Sequence, residues 1–274
     1  MDPESRQSYA AAVERLETFA HGDRPVPLAG VGDQILAVAR LLEHQPRLRR
    51  ALSDPARTGE DRAGLLTSLL DGKVAEDTQT LLRTLVGGHW SSASDLLGAM
   101  ERLGIETLLA AADSAGELAD VEDELFRFGQ VVDGNVGLAS ALGNSTTPPA
   151  QRAELARSLL NGKAKPATVR LVEVALEGFG GRNFLSSLSR LVELAAGRRD
   201  REVAYVTVAS GLTEAEADRL SARLAELYGR QVALKVAVDP GILGGMSVRV
   251  RSDLYDGTVA RRLHEARATF AGHH

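Results

Sequence analysis

Two Gly-Lys pairs, Gly72-Lys73 and Gly162-Lys163, are the residues best suited to phosphate chemistry, through backbone N–H groups and an ammonium. A phosphate loop requires Gly, four residues, then Gly-Lys-Ser/Thr between a strand and a helix. Here Val74 and Ala164 follow the lysines, and leucines in helical spacing precede them. Both pairs therefore read as helix ends, with a left-handed glycine and a lysine near the negative end of the dipole. Gly178-Phe179-Gly180-Gly181-Arg182 follows a helical segment rather than a strand and reads as a loop. The histidines at 21, 44, 89 and 264 are scattered, and only His273-His274 are adjacent, at the chain end. Trp90 reads as a cap on a bundle, and Glu122-Asp123-Glu124 as the polar face of a helix. Neither H-E-x-x-H nor G-x-S-x-G occurs. The absence of cysteine removes disulfides, thiolate nucleophiles and cysteine zinc sites. No catalytic, cofactor-binding or metal-binding residues are expected, and so no cofactor.

Composition narrows the function classes further. The chain has 274 residues, 44% hydrophobic and 25% charged, enough for real cores. A net charge of −5 and only 4% aromatics argue against nucleic acid as a partner. No run approaches the roughly 18 uninterrupted apolar residues of a membrane span, so direct membrane insertion is not expected. The opening stretch carries Asp2, Glu4 and Arg6 and lacks the apolar core of a secretory signal.

Helices dominate up to Gly197. Apolar residues recur at helical spacing in Tyr9/Val13/Leu16, Ile35/Val38/Leu42, Leu81/Leu82/Leu85 and Leu96/Met100/Leu103. A longer segment after Gly104 carries Ile105, Leu108, Val121, Leu125 and Phe128. Breaks fall at Arg24-Pro25, Ser53-Asp54-Pro55, Gly87-Gly88 and Pro148-Pro149. Shifted by 90 residues, the sequence overlays itself. Ser68-Leu69-Leu70-Asp71-Gly72-Lys73 meets Ser158-Leu159-Leu160-Asn161-Gly162-Lys163, Arg62 meets Arg152, and Thr78 meets Thr168. Such a repeat predicts one supersecondary unit used twice. Tandem helical bundles are expected over residues 1–104 and 105–196.

The texture changes at residue 197. Arg198-Arg199-Asp200-Arg201 reads as a solvated charged joint, with a basic contact to an acidic partner as the sharper alternative. Glu202–Ala209 is rich in β-branched residues and reads as a strand. Thr213 and Glu216 match a capping box for a helix facing inward through Ala217, Leu220, Leu224 and Leu227. Val232 to Val238 and Met246 to Val250 alternate as strands, and Thr258–Phe270 reads as a closing helix. The expected class is α+β, tandem all-α bundles followed by a strand-helix-strand-strand-helix module over 197–274.

This last segment resembles the tail of ATP synthase delta subunits, the family of the mitochondrial oligomycin-sensitivity-conferring protein. The resemblance rests on the alternating Val232 to Val238, then Asp239, the aliphatic pair Ile242-Leu243, Gly244-Gly245, and a second alternating run. Asp256-Gly257-Thr258 and the basic Arg261-Arg262-Leu263 complete it. Thr258 stands where the family usually has Ser. The resemblance implies structural or partner-binding roles for Asp239, Gly244, Gly245, Asp256, Gly257 and Arg262. It also implies a non-catalytic stator of a rotary F-type ATP synthase, one copy per complex. The partners implied are alpha subunits of the catalytic head and b subunits of the peripheral stalk, on the cytoplasmic face of a bacterial plasma membrane. Ordinary members have one six-helix bundle, and two would match the enlarged form. An unrelated helical adaptor is the alternative.

Overall fold

A computed structural model describes the chain except residues 1, 23, 145, 200, 230, 251, 252, 260 and 262–274. It divides into two compact units, 1–196 and 197–274. The first is all helical: α1 Pro3–His21, α2 Leu28–His44, α3 Pro46–Leu52, α4 Gly59–Leu70, α5 Glu76–Gly87 and α6 Ala93–Ser114. Next come α7 Leu118–Asp133, α8 Val136–Gly143, α9 Pro149–Leu160, α10 Pro166–Glu177, a 3-10 turn at Phe179–Gly181, and α11 Phe184–Arg199. Two apolar cores fill it. Leu16, Ile35, Leu82 and Met100 belong to one, and Leu109, Leu125, Leu171 and Leu191 to the other.

The sequence reading divided the bundles between Gly104 and Ile105, and α6 runs straight through that position. This glycine has a packing role. A Cβ there would lie 2.7 Å from Leu36 Cγ, and one at Gly32 would lie 2.9 Å from Leu108 Cδ2, so α2 and α6 cross with no room for side chains. Leu96, Met100 and Leu103, before this point, feed the first core; Ile105, Leu108 and Leu109, just after it, feed the second. One continuous helix thus hands over between the two cores at the position where the sequence reading divided the bundles. The break lies further on, at left-handed Gly116, where Glu117 N–H donates to Ala112 C=O over 2.8 Å and closes a Schellman-type cap.

The repeat is visible atom by atom. After α4, Asp71 has φ −54° and ψ 129°, Gly72 has φ +66°, and Lys73 N–H reaches Leu70 C=O at 2.9 Å. After α9, Asn161 has φ −57° and ψ 123°, Gly162 has φ +69°, and Lys163 N–H meets Leu160 C=O at 2.9 Å. Both are type II turns, which require positive φ at the third residue. Lys73 Nζ also donates to Leu69 C=O at 2.9 Å, satisfying a last-turn carbonyl of α4.

The second unit is a four-stranded sheet in the order β2-β1-β3-β4, with β1 Arg201–Val208, β2 Gln231–Val238, β3 Met246–Val250 and β4 Asp253–Asp256. β1 and β2 run parallel, joined by α12 Glu214–Tyr228; β1-β3 and β3-β4 are antiparallel. The capping box forms as expected: Glu216 N–H donates to Thr213 Oγ1 at 3.4 Å and Thr213 N–H to Glu216 Oε2 at 2.9 Å. Ala204, Val206, Val208, Val232, Val248 and Val250 make the core with Leu224.

Three expectations change. β4 was not foreseen, because four residues with two aspartates carry no alternation. Leu227 is exposed, and the packed face of α12 runs Leu220, Leu224, Tyr228 instead. The joint at Arg198-Arg199 is the last turn of α11, a place that suits cations, and Arg198 is buried rather than solvated. The closing helix expected over Thr258–Phe270 lies mostly outside the described residues.

Candidate partner-binding surfaces

The motif residues of the sheet unit converge at one end of the β3-β4 hairpin. Asp239 N–H donates to Val208 C=O at 2.9 Å, tying the end of β2 to β1, and Asp239 Oδ1 accepts from Gly241 N–H at 2.8 Å in an Asx turn. Gly244 and Gly245 then take φ of +142° and +84°. A Cβ on Gly245 would sit 2.5 Å from Gly257 C=O, so the backbone at 245 lies against the backbone at 257. Gly257 N–H donates to Met246 C=O, and Val259 N–H to Gly244 C=O, both at 2.9 Å. Asp256 Oδ1 accepts from Thr258 N–H at 3.0 Å, and this bond together with the Thr258 hydroxyl holds its carboxyl below the ordinary range. Thr258 Oγ1 accepts from Arg261 N–H at 3.4 Å, an N-cap geometry.

Gly244, Gly245, Asp256 and Gly257 are thus joined in one backbone knot, and Asp239 stands at the turn that leads into it. Arg262 lies outside the described residues. Around the knot the surface is apolar: Val238, Leu243 (78% exposed), Leu254 and Val259 are all solvent-facing.

The helical unit presents a second kind of surface. In each copy a buried arginine staples helix ends. Arg62 donates to the carbonyls of Asp54, Arg57, Val86, Gly87 and Gly88 at 2.7 to 3.3 Å. Arg152 donates to Leu142 C=O and Leu176 C=O at 3.2 and 2.9 Å. A borrowed cap recurs too. Gln34 on α2 accepts from Ala75 N–H and Thr78 Oγ1 at 2.9 and 2.6 Å. Glu124 on α7 accepts from Lys165 N–H and Thr168 Oγ1 at 2.8 and 2.5 Å. These contacts tie helix ends to neighbouring helices in both copies.

Residues 106–270 match the family model described as ATP synthase delta (OSCP) subunit. The chain is 60% identical to the ATP synthase subunit delta of Salinispora arenicola, with 97% of each chain covered. It is 44% identical to that of Streptomyces griseus, over 99% of this chain and all of the relative. The chain belongs to the ATP synthase delta (OSCP) subunit family.

The delta family match begins just after Gly104 and takes in the second helical copy and the sheet unit, so the first copy lies before it. The relatives match both copies, because the shared length reaches nearly the whole chain. Among the described residues no group of three or more His, Asp or Glu side chains could hold a metal, and no helix is long and apolar enough to cross a membrane.

Sequence reasoning missed the stapling arginines and the borrowed caps. Arg62 and Arg152 were noticed only as repeat identities. The signal was present: a charged residue conserved between two copies inside an otherwise apolar stripe marks a buried, satisfied charge. Gln34 and Glu124 had no such signal, since their partners lie on another helix. The Tyr228 hydroxyl, 3.0 Å from Asp253 Oδ2 and from the Tyr255 hydroxyl, was also unforeseen; burial and these two neighbours push its phenol up.

Proposed function

We propose that this chain is the brace of an F-type ATP synthase peripheral stalk, holding the catalytic head against the torque of the central shaft. Chemistry in the head is coupled to rotation only if the head cannot turn with the shaft, and a brace prevents that without touching substrate. The helical unit binds amino-terminal helices of the head's alpha subunits, and the sheet unit holds the long helices of the b subunits. One copy serves each complex, at the cytoplasmic face of a bacterial plasma membrane, with no catalytic residue or cofactor of its own. We further propose that residues 1–104 and 105–196 act as two bundle domains, with α6 common to both, and that the first lengthens or stiffens the stator.

The observation that carries this reading is the family match over 106–270, which spans helical copy and sheet unit together as one element of the delta subunit. Bundle surfaces suit amphipathic guest helices, read through anchors at i, i+3, i+4 and i+7. Joints that last many turnovers should bury at least about 1,600 Å² in total. An unrelated helical adaptor is not favoured, because it would leave the shared delta sequence without a reason.

Deleting residues 197–274 tests the division of labour. The two units are compact by themselves, so the remaining helices should keep their circular dichroism and cooperative melting. Co-purification with b subunits should be lost while alpha binding survives. Recovery of b subunits at the full-length yield would refute the assignment.

A further inference from the structure

The four asparagines of the chain are held very differently. Asn135, Asn144 and Asn183 are exposed, but each carboxamide oxygen is engaged. Asn135 Oδ1 accepts from Leu138 N–H at 3.0 Å, Asn144 Oδ1 from Thr146 N–H at 2.9 Å, and Asn183 Oδ1 from Ser186 N–H at 2.9 Å. Each of these closes a helix cap or an Asx turn. Asn161 is exposed as well, yet its side chain makes no hydrogen bond to any described residue. It is also the one asparagine that precedes a glycine; Val136, Ser145 and Phe184 follow the others.

That neighbour matters chemically. The main-chain nitrogen after an asparagine, once it has lost its proton, can attack the side-chain Cγ and expel ammonia, closing a five-membered succinimide. Water then opens the ring at either carbonyl, giving aspartate or its β-linked isomer, isoaspartate. A side chain on the attacking residue crowds this approach, and glycine has none. Gly162 N–H donates to no acceptor among the described residues, and a Cβ at Gly162 would meet no atom within 4 Å. The nitrogen is unengaged, and the turn around it stands in open space.

The same turn slows the reaction. In its type II geometry ψ of Asn161 is 123°, which points the Gly162 nitrogen away from Cγ. The central peptide must rotate before the ring can close. Across the turn, the bond that resists is that from Lys163 N–H to Leu160 C=O at 2.9 Å. Openings of exposed turns such as this lie at the low end of local stability.

We propose that Asn161 is a self-modification site, deamidated by water through a succinimide at a rate set by rotation of its turn. The first copy shows what the product can do. Asp71 in Asp71-Gly72-Lys73 has φ −54° and ψ 129°, against −57° and 123° at Asn161, so an aspartate at 161 fits the turn without rearrangement. Isoaspartate does not fit. It adds one carbon to the main chain between Leu160 and Gly162 and so separates Lys163 N–H from Leu160 C=O. Either product makes the net charge of −5 one unit more negative, at the end of α9 where the dipole disfavours anions.

Incubation of the full chain at mildly alkaline pH, followed by trypsin and mass spectrometry, tests the site. The fragment 158–163 should gain the mass of OH over NH2 and split into aspartyl and isoaspartyl forms. Fragments carrying Asn135, Asn144 and Asn183 should stay unchanged. The native chain should convert at about a tenth of the rate of the chain unfolded in guanidinium chloride. Gly162→Ala should suppress conversion in both states, because its methyl group crowds the nitrogen. Conversion at 161 no faster than at the other three asparagines overturns the proposal, and equal rates in the folded and unfolded chain overturn the gate. Asn161→Asp should keep the parent's unfolding midpoint, and a midpoint well below it would mean that aspartate does not fit this turn.

Discussion

Arg62 and Arg152 occupy the same place in two copies of one helical unit, yet they are not equally satisfied. Arg62 reaches five carbonyls, whereas Arg152 reaches two and keeps its Nε buried with no acceptor. Part of the difference lies at one glycine, and part in the loop before α4, where Arg62 also reaches Asp54 and Arg57. Gly88, after α5, has φ −68° and continues in extended form, presenting its carbonyl to Arg62. Gly178, ninety residues later, has φ +91° and turns the chain into the 3-10 corner Phe179–Gly181. That corner packs back on α6, where Gly180 N–H donates to Glu101 Oε2 at 3.2 Å. The second copy therefore gives up carbonyls for its arginine and gains a contact with the first. Duplicated sequence does not mean duplicated energetics, because each copy meets a different neighbour.

The arginines offer the largest test of this contrast. Arg62→Ala strands five buried or half-buried carbonyls and should cost about 3 kcal/mol, while Arg152→Ala should cost about 2 kcal/mol. Urea unfolding of the full chain measures both, and equal losses would erase the asymmetry. The turn glycines should behave in the opposite way. A Cβ at Gly72 or Gly162 meets no atom within 4 Å, so Ala at either costs only the left-handed backbone, about 1 kcal/mol. Matched losses at the two sites would support identical turns, and unequal ones would show that the turns feel their surroundings.

The smallest effect belongs to Glu101, at the corner between the copies. Burial first, then the nearby Glu43 and Glu177 charges, push its carboxyl up, although Gly180 N–H opposes them. The native state thus holds this proton more tightly than the unfolded chain. Its contribution to stability is greatest below the ordinary value of 4.5 and declines as pH rises through the folded value. Glu101→Gln keeps an acceptor for Gly180 and removes the charge. It should raise the melting midpoint slightly at pH 7 and leave it unchanged near pH 4. A variant less stable than the parent at pH 7 would mean that the carboxylate strengthens the corner.

How much of this was legible in advance depends on how local the cause is. Periodicity, the capping box at Thr213 and Glu216, and the paired turn glycines were readable because each is decided within a few residues. The knot around Gly244, Gly245 and Gly257 was visible only as a string of suspicious residues. Its two halves are brought together by the β3-β4 hairpin, and β4 itself was invisible. Gly104 was legible only as the edge of a bundle: a glycine inside a helix can be either a stop or a place for another helix to approach, and only the neighbour Leu36 decides which.

By itself, the sequence determined the helical repeat, the change of class at residue 197 and the family of the tail, since all three are written in spacing and local turn chemistry. Tertiary structure alone decided that α6 serves two cores, that Arg62 and Arg152 differ, and that Leu227 is exposed while Tyr228 packs. Those outcomes depend on which surfaces meet, and residues ninety positions apart in the chain carry no local mark of their neighbours in space.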